Sequence, residues 1–111
     1  MQKMKYYSTR GDKNGLFSAE AIKKGIADDG GLFMPERIPT LTLSEILSLS
    51  DKSYAQRAHF VLSRFLDDYD SKTLEKICEV SYAEERFGKN AAPVVKLSNG
   101  MSVLELWHGP T

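Results

Sequence analysis

The chain has 111 residues, 41% of them hydrophobic and 27% charged, which is the balance of one soluble globular domain rather than of a disordered chain. Fifteen basic residues match fifteen acidic ones and are scattered, so nothing in the charge favours a nucleic-acid or anionic-membrane partner. The lone Cys78 excludes an internal disulfide, and we find neither a secretory signal nor an apolar run of the roughly 20 residues that span a bilayer. We therefore expect a cytoplasmic protein.

The first third of the sequence predicts two short strands on either side of a short helix. Aromatic β-formers predict a strand over residues 4–9. Ser18 is a suitable N-cap for a helix over residues 19–24, because its hydroxyl can accept from an unpaired N–H of the first turn. A Gly-Gly turn then leads into a predicted strand over residues 31–34, which Pro35 should end.

Two of the helices predicted for the middle of the chain begin at capping boxes. Thr42 and Glu45 form one box, for a helix over residues 43–49, and Ser53 and Gln56 form the other. Behind the second box, apolar residues recur every three or four positions, which predicts a helix of about 16 residues with one buried stripe. The stripe consists of Tyr54, Ala58, Val61, Leu62, Phe65, Leu66 and Tyr69.

A further helix is predicted over residues 72–85, with Asp70 or Ser71 as its cap. Its apolar positions should be buried, namely Leu74, Ile77, Cys78 and Tyr82. Because Cys78 lies on that stripe, we expect a small inert hydrophobic residue and not a catalytic nucleophile.

The sequence around Asn99-Gly100 predicts a β-hairpin. Two β-rich runs, residues 93–97 and 101–106, flank this Asn-Gly turn, and they are too close for a helical crossover. The hairpin is therefore antiparallel. We predict an α+β fold with about four helices and a small antiparallel sheet, built from the N-terminal strand, the strand over residues 31–34 and the C-terminal hairpin.

Metal and nucleotide sites are not predicted. His59, His108 and Cys78 are the only nitrogen and sulfur ligands, and their spacing does not suit a metal. Asp68 and Asp70 begin like a calcium loop, but a lysine follows where a third oxygen ligand is needed, so a solvated helix end is the better interpretation. Neither G-x-G-x-x-G nor a P-loop is present.

The most informative segment is the last one, where the second hairpin strand runs into Trp107-His-Gly-Pro110, because loops at strand ends often carry sites. The run from Leu104 to Thr111 resembles the stretch of threonine synthases in which Leu-Glu-Leu-aromatic-His-Gly-Pro-Thr leads into Phe-Lys-Asp. Three further segments are similar to the start of that family, in the same order: Lys5-Tyr-Tyr-Ser-Thr-Arg-Gly11, Phe17-Ser-Ala-Glu-Ala-Ile-Lys-Lys-Gly25 and Asp29-Gly-Gly-Leu-Phe-Met-Pro-Glu36.

The resemblance implies the N-terminal domain of a fold-type II, tryptophan synthase β-like enzyme that uses pyridoxal 5′-phosphate (PLP). Residues 1–92 would form that domain, and residues 93–111 would lead into the PLP-binding domain. The Schiff-base lysine of the family would lie beyond Thr111, so no catalytic residue is assigned within this chain. The loop of His108, Gly109, Pro110 and Thr111 is expected to shape the cofactor site.

The intact enzyme implied by the resemblance converts O-phospho-L-homoserine and water to L-threonine and phosphate, the last step of threonine biosynthesis. We expect the 111-residue chain alone to be inactive and to bind no PLP. The alternatives are a threonine synthase-like phosphate lyase acting on a related phospho-amino acid and a free-standing protein-interaction domain. In a separated domain, Leu104, Leu106 and Trp107 should expose apolar surface and promote self-association.

Overall fold

The computed structural model describes residues 2–109, so Pro110 and Thr111 of the predicted loop lie outside the described residues. Four short strands are formed: β1 (Tyr6–Ser8), β2 (Phe33–Pro35), β3 (Val94–Lys96) and β4 (Ser102–Leu104). The helices are α1 (Ser18–Lys24), α2 (Leu43–Leu47), α3 (Tyr54–Phe65), α4 (Ser71–Ser81) and α5 (Glu84–Phe87). The predicted α+β class is confirmed. Between residues 2 and 109, no helix has the length and apolar character needed to cross a bilayer.

The strands form two separate two-stranded sheets instead of the single sheet that we expected. β1 pairs antiparallel with β2, and β3 pairs antiparallel with β4. The outer edge of β1 is already occupied, because the N–H of Tyr6 donates to the carbonyl of Leu16 at 2.9 Å and the carbonyl of Tyr6 accepts the N–H of Leu16 at 3.1 Å. The hairpin therefore stands as a sheet of its own at the other end of the chain.

Pro35 is the last residue of β2, so the strand ends at this proline, one residue beyond the predicted end at residue 34. Its partner in the ladder is Tyr6. Because both backbone groups of Tyr6 are directed to Leu16, this position of the pair requires no N–H donor from β2. A proline is tolerated at such a position, since it removes no ladder hydrogen bond.

Both predicted capping boxes are present. The Thr42 hydroxyl accepts the N–H of Glu45 at 3.2 Å, and the Glu45 carboxylate accepts the N–H of Thr42 at 2.8 Å. Ser53 and Gln56 exchange the same two bonds, at 3.2 and 3.0 Å. Local side-chain chemistry therefore sets the starts of α2 and α3.

The end of α3 differs from the prediction because two aspartates leave the helix to hold the N-terminal segment. The helix stops at Phe65, and the carboxylate of Asp67 accepts the backbone N–H of Met4 at 2.9 and 3.0 Å. The next carboxylate, Asp68, accepts the Ser18 hydroxyl and also the N–H of Ala19 at 3.1 Å. We call Asp67 and Asp68 the aspartate pair.

The aspartate pair also explains why Ser18 does not cap α1. The N-cap position is taken by Phe17, and Ser18 is the first helical residue, with only 1% of its surface exposed. Its hydroxyl donates to Asp68, so the carboxylate that follows α3 provides the cap that the sequence assigned to Ser18. The prediction of Ser18 as N-cap was wrong, and the helix begins one residue earlier than expected.

The core is small and is built in part by the packing of α4 on α3. Met4, Leu74 and Cys78 are almost fully buried, as are Ala21 and Ala27. Leu74 and Cys78 were predicted core residues, but Ile77 remains 44% exposed and is not one. Asp70 caps α4 as predicted, its carboxylate accepting the N–H of Thr73 at 3.0 Å.

The single helix expected over residues 72–85 is divided at Tyr82. This residue leaves the helical conformation with φ −106° and ψ 24°, and α5 begins two residues later. The Tyr82 ring packs between Tyr54 at 5.2 Å and Phe87 at 5.3 Å. The aromatic contacts on both sides of the break account for its position, because they require the ring to point back toward α3.

Candidate functional site

The C-terminal hairpin leads directly into the predicted loop. Gly100 has φ 81°, and the Asn99 side chain accepts the N–H of Met101 at 3.1 Å, so the Asn-Gly turn closes as the sequence indicated. Beyond β4, the N–H of Glu105 donates to the carbonyl of Pro93 at 2.9 Å. This bond fixes the start of the segment from Glu105 to Gly109, which we call the His-Gly loop.

Glu105 and His108 are in direct contact within the His-Gly loop. The His108 Nε2 lies 2.9 Å from the Glu105 Oε1, and the His108 and Glu105 side chains are 37% and 21% exposed. The sequence analysis did not identify Glu105 as a candidate site residue. The signal that could have identified it is its position directly after a strand and three residues before His108.

Gly109 anchors the other end of the His-Gly loop against α5. A Cβ atom at this position would lie 2.2 Å from the Cε1 of the Phe87 ring, so only glycine allows this approach. Phe87 is in turn packed on Tyr82. The loop therefore packs against the aromatic cluster formed by Tyr54, Tyr82 and Phe87. No local pattern in the sequence predicted that Phe87 would contact this loop.

The end of β4 and the His-Gly loop expose large apolar side chains. Leu104, Leu106 and Trp107 are 54%, 70% and 65% exposed, in agreement with the expectation that these side chains would be uncovered. Two-stranded hairpins need a further layer to be stable in water. The hairpin and its loop therefore present a surface suited to burial against other polypeptide.

A second polar cluster joins two of the N-terminal segments noted in the sequence. The Asp29 carboxylate accepts the Ser8 hydroxyl, and it also accepts the backbone N–H groups of Gly31 and Asp12, each at 3.0 Å. We call these four residues the Asp29 network. The hydrogen bond from Ser8, followed by that from Gly31, holds the pKa of Asp29 below its usual value. The network fixes the turn that precedes β2.

The aspartate pair has a similar structural role. Partial burial raises the pKa of the Asp68 carboxyl, but the hydrogen bonds from Ser18 and Ala19 outweigh burial and keep that pKa below its usual value. The nearby Tyr6 hydroxyl donates to the Phe65 carbonyl at 2.8 Å, and burial, followed by the charges of both aspartates, raises its pKa. These long-range contacts had no signal in the sequence, because the partners are about 50 or more residues apart.

The remaining candidates from the sequence form no site in the part of the chain that the structure describes. Cys78 is 1% exposed, and burial raises the pKa of its thiol, so it is a core residue. The His59 Nε2 lies 3.4 Å from the Ser71 hydroxyl, so its partner in this contact is a neutral group. No group of three or more potential metal ligands is found among residues 2–109.

The fold is found in a solved enzyme structure. A PLP-bound threonine synthase from Brucella melitensis superimposes with a TM-score of 0.83 and 35% sequence identity, over 97% of this chain and 23% of that one. The chain thus has the fold of one part of a PLP enzyme, and the predicted fold is confirmed.

Comparisons of sequence define the family. The family model described as the threonine synthase N terminus matches residues 5–82. The threonine synthase of Schizosaccharomyces pombe is 40% identical over 108 residues, which are 96% of this chain and 21% of that protein. The human protein named threonine synthase-like 1 is 39% identical over 98 residues, 86% of this chain and 13% of that protein. This chain therefore belongs to the threonine synthase N-terminal family, and it spans about a fifth or less of these two relatives' length.

Proposed function

We propose that this chain is the N-terminal part of a threonine synthase, which converts O-phospho-L-homoserine and water to L-threonine and phosphate in the cytoplasm. The observation that carries the proposal is the family match over residues 5–82, continued by a hairpin that ends in the His-Gly loop. Residues 1–92 would be the N-terminal domain. Residues 93–111 would lead into a PLP-binding domain that contributes the Schiff-base lysine.

The chemistry of the His-Gly loop fits a supporting position beside the cofactor and not the cofactor site itself. PLP, when bound, supplies an electron sink. Glu105 offers a carboxylate and His108 an imidazole, and neither group is the primary amine to which PLP is anchored. The role that we propose for His108, Gly109, Pro110 and Thr111 is to shape one wall of the site. Gly109 would hold that wall in place through Phe87.

The experiment that tests the proposed function compares two proteins. The full-length gene product should absorb as a PLP enzyme and release phosphate and threonine from O-phospho-L-homoserine. The 111-residue chain should do neither, because it would lack the lysine. Turnover by this chain alone, or a full-length product without the cofactor absorbance, would contradict the proposal.

A second function is favoured by one observation, the match to human threonine synthase-like 1. As this second function we propose a threonine synthase-like phosphate lyase that acts on a related phospho-amino acid. The two functions differ in the product, since a synthase forms threonine and a lyase forms 2-oxobutyrate. Analysis of the product from the full-length protein decides between them.

The exposed surface of the His-Gly loop leads to a prediction for the separate chain. We expect this chain to self-associate through Leu106 and Trp107, because each large apolar side chain that becomes buried contributes about 1.5–3 kcal/mol. Leu106→Ser should weaken the association by about tenfold or more, as measured by sedimentation velocity across a concentration series.

A matched control is available on α2. Leu43 is 71% exposed, against 70% for Leu106, but it lies far from the hairpin in sequence. Leu43→Ser should leave the association unchanged. An equal effect of the two substitutions, or a wild-type chain that stays monomeric at every concentration, would show that the hairpin is not the interface.

A further inference from the structure

We propose that Glu105 is a positioning residue for His108, which it holds with Nε2 as a donor and Nδ1 as the one ring nitrogen free to accept. This inference rests on the proposed function, since it assigns the pair to the wall of the same site. The group that Nδ1 would receive is a hydrogen-bond donor such as an ammonium or a hydroxyl group. The geometry that supports the proposal is the 2.9 Å contact between His108 Nε2 and Glu105 Oε1.

The chemistry of the contact determines which nitrogen carries the proton. An ionised carboxylate can only accept, so the imidazole must donate from Nε2. In a neutral imidazole the other nitrogen is then an acceptor. Partners of this kind fix the tautomer and the orientation of functional histidines, and their loss typically costs about 10–100-fold in function at metal sites.

The backbone on both sides of the pair is held, so the orientation of the ring can be maintained. Glu105 is tied to the base of the hairpin through Pro93, at 2.9 Å. Gly109, directly after His108, is packed on the Phe87 ring. The pair thus lies between two fixed points, within the run that resembles the approach to the family's lysine.

A simple contribution to stability does not explain this arrangement. Partly exposed ion pairs are worth about 0–1 kcal/mol, and both side chains retain contact with water. Glu105→Gln and Glu105→Ala should therefore both leave the chain folded. Because both variants should stay folded, they are suitable for a test that separates the orientation of the His108 ring from the charge of the Glu105 side chain.

The test has a spectroscopic part, carried out on the 111-residue chain. Nitrogen-15 chemical shifts of the imidazole rings, recorded where the rings are neutral, should report the Nε2–H form of His108 in the wild type. Glu105→Ala removes the acceptor and should give a mixture of tautomers. Glu105→Gln should give an intermediate result, because its amide oxygen can accept from Nε2–H while its NH2 group can also donate to Nε2. The His59 ring, remote from Glu105 in sequence, is the internal control. Unchanged His108 shifts in Glu105→Ala would overturn the proposal.

The functional part uses the full-length protein. Glu105→Ala should lower kcat by about tenfold or more, with the cofactor absorbance retained, and the kcat of Glu105→Gln should lie between those of Glu105→Ala and the wild type. Glu79→Ala, an exposed substitution on α4, should leave the rate unchanged. Equal rates for Glu105→Ala and the wild type would remove the positioning role. If the full-length protein lacks PLP absorbance, the proposed function fails, while the nitrogen shifts still decide the pairing of Glu105 and His108.

Discussion

Asp68→Ala should lower the free energy of unfolding by about 2–4 kcal/mol, the largest loss that we expect from a single polar substitution. The Asp68 carboxylate accepts from both Ser18 and Ala19, and Ser18 is only 1% exposed. Removing the Asp68 carboxylate leaves the buried Ser18 hydroxyl without its hydrogen-bond partner, which costs about 1–3 kcal/mol of stability. It also removes the cap of α1, at about 0.5–2 kcal/mol. Urea denaturation followed by circular dichroism measures the change.

Two further variants make this prediction specific. Asp68→Asn should lose less than Asp68→Ala, since its single carbonyl oxygen can still accept one of the two bonds. Asp51→Ala, in an exposed turn, should change stability by about 0.5 kcal/mol at most. Equal stabilities of Asp68→Ala and Asp51→Ala would mean that the aspartate pair does not hold the N-terminal segment.

The same variant should show a defined pH dependence. The pKa of Asp68 is lower in the folded chain than its unfolded value of about 3.9. Its ionised form therefore stabilises the fold above that value, and this contribution is lost as the pH falls through the folded pKa. The difference in unfolding free energy between wild type and Asp68→Ala should be largest near neutral pH and shrink in acid.

Gly31→Ala should destabilise the chain by about 2–3 kcal/mol, a cost typical of overpacking. A Cβ atom here would lie 2.0 Å from the Ser8 Oγ and 3.0 Å from the backbone nitrogen of Arg10. The Asp29 network must then open, because the Ser8 hydroxyl loses the space in which it donates to Asp29. Thermal or urea unfolding of the variant measures the loss.

A double-mutant cycle identifies the cause of that loss. Ser8→Ala removes the oxygen atom with which the added Cβ clashes. The double variant should therefore lose less unfolding free energy than the sum of the losses in the two single variants. Gly31 is not among the glycines with positive φ, so the loss in Gly31→Ala should come from the contact with Ser8 and not from backbone strain. Strict additivity of Ser8→Ala and Gly31→Ala would contradict the steric explanation.

The sequence predicted those elements whose determinants lie within a few residues of one another. The capping box of Thr42 and Glu45 needs only a spacing of three, and the hairpin turn needs only Asn99 and Gly100. The resemblance to the family was also carried by short contiguous runs, and the match over residues 5–82 confirmed it. Local chemistry is sufficient in such cases, because neighbours in sequence supply both partners of each contact.

Features that depend on distant partners could not be predicted in this way. The early end of α3 follows from the contacts of the aspartate pair with Met4 and Ser18, which lie 63 and 50 residues away. The break at Tyr82 follows from the rings that face it across α3 and α5. Within the candidate site, the loop was predicted but its support was not, since Phe87 reaches Gly109 only in the folded chain.

The aspartate pair also sets an order of events during synthesis. Ribosomes add about 5–20 residues per second, so the interval between the emergence of Ser18 and of Asp68, 50 residues later, lasts about 2.5–10 s. During that time the nascent first strand and α1 have no partner for Met4 or Ser18. The N-terminal segment is thus translated early but can complete its native hydrogen bonds only after Asp68 has been synthesised.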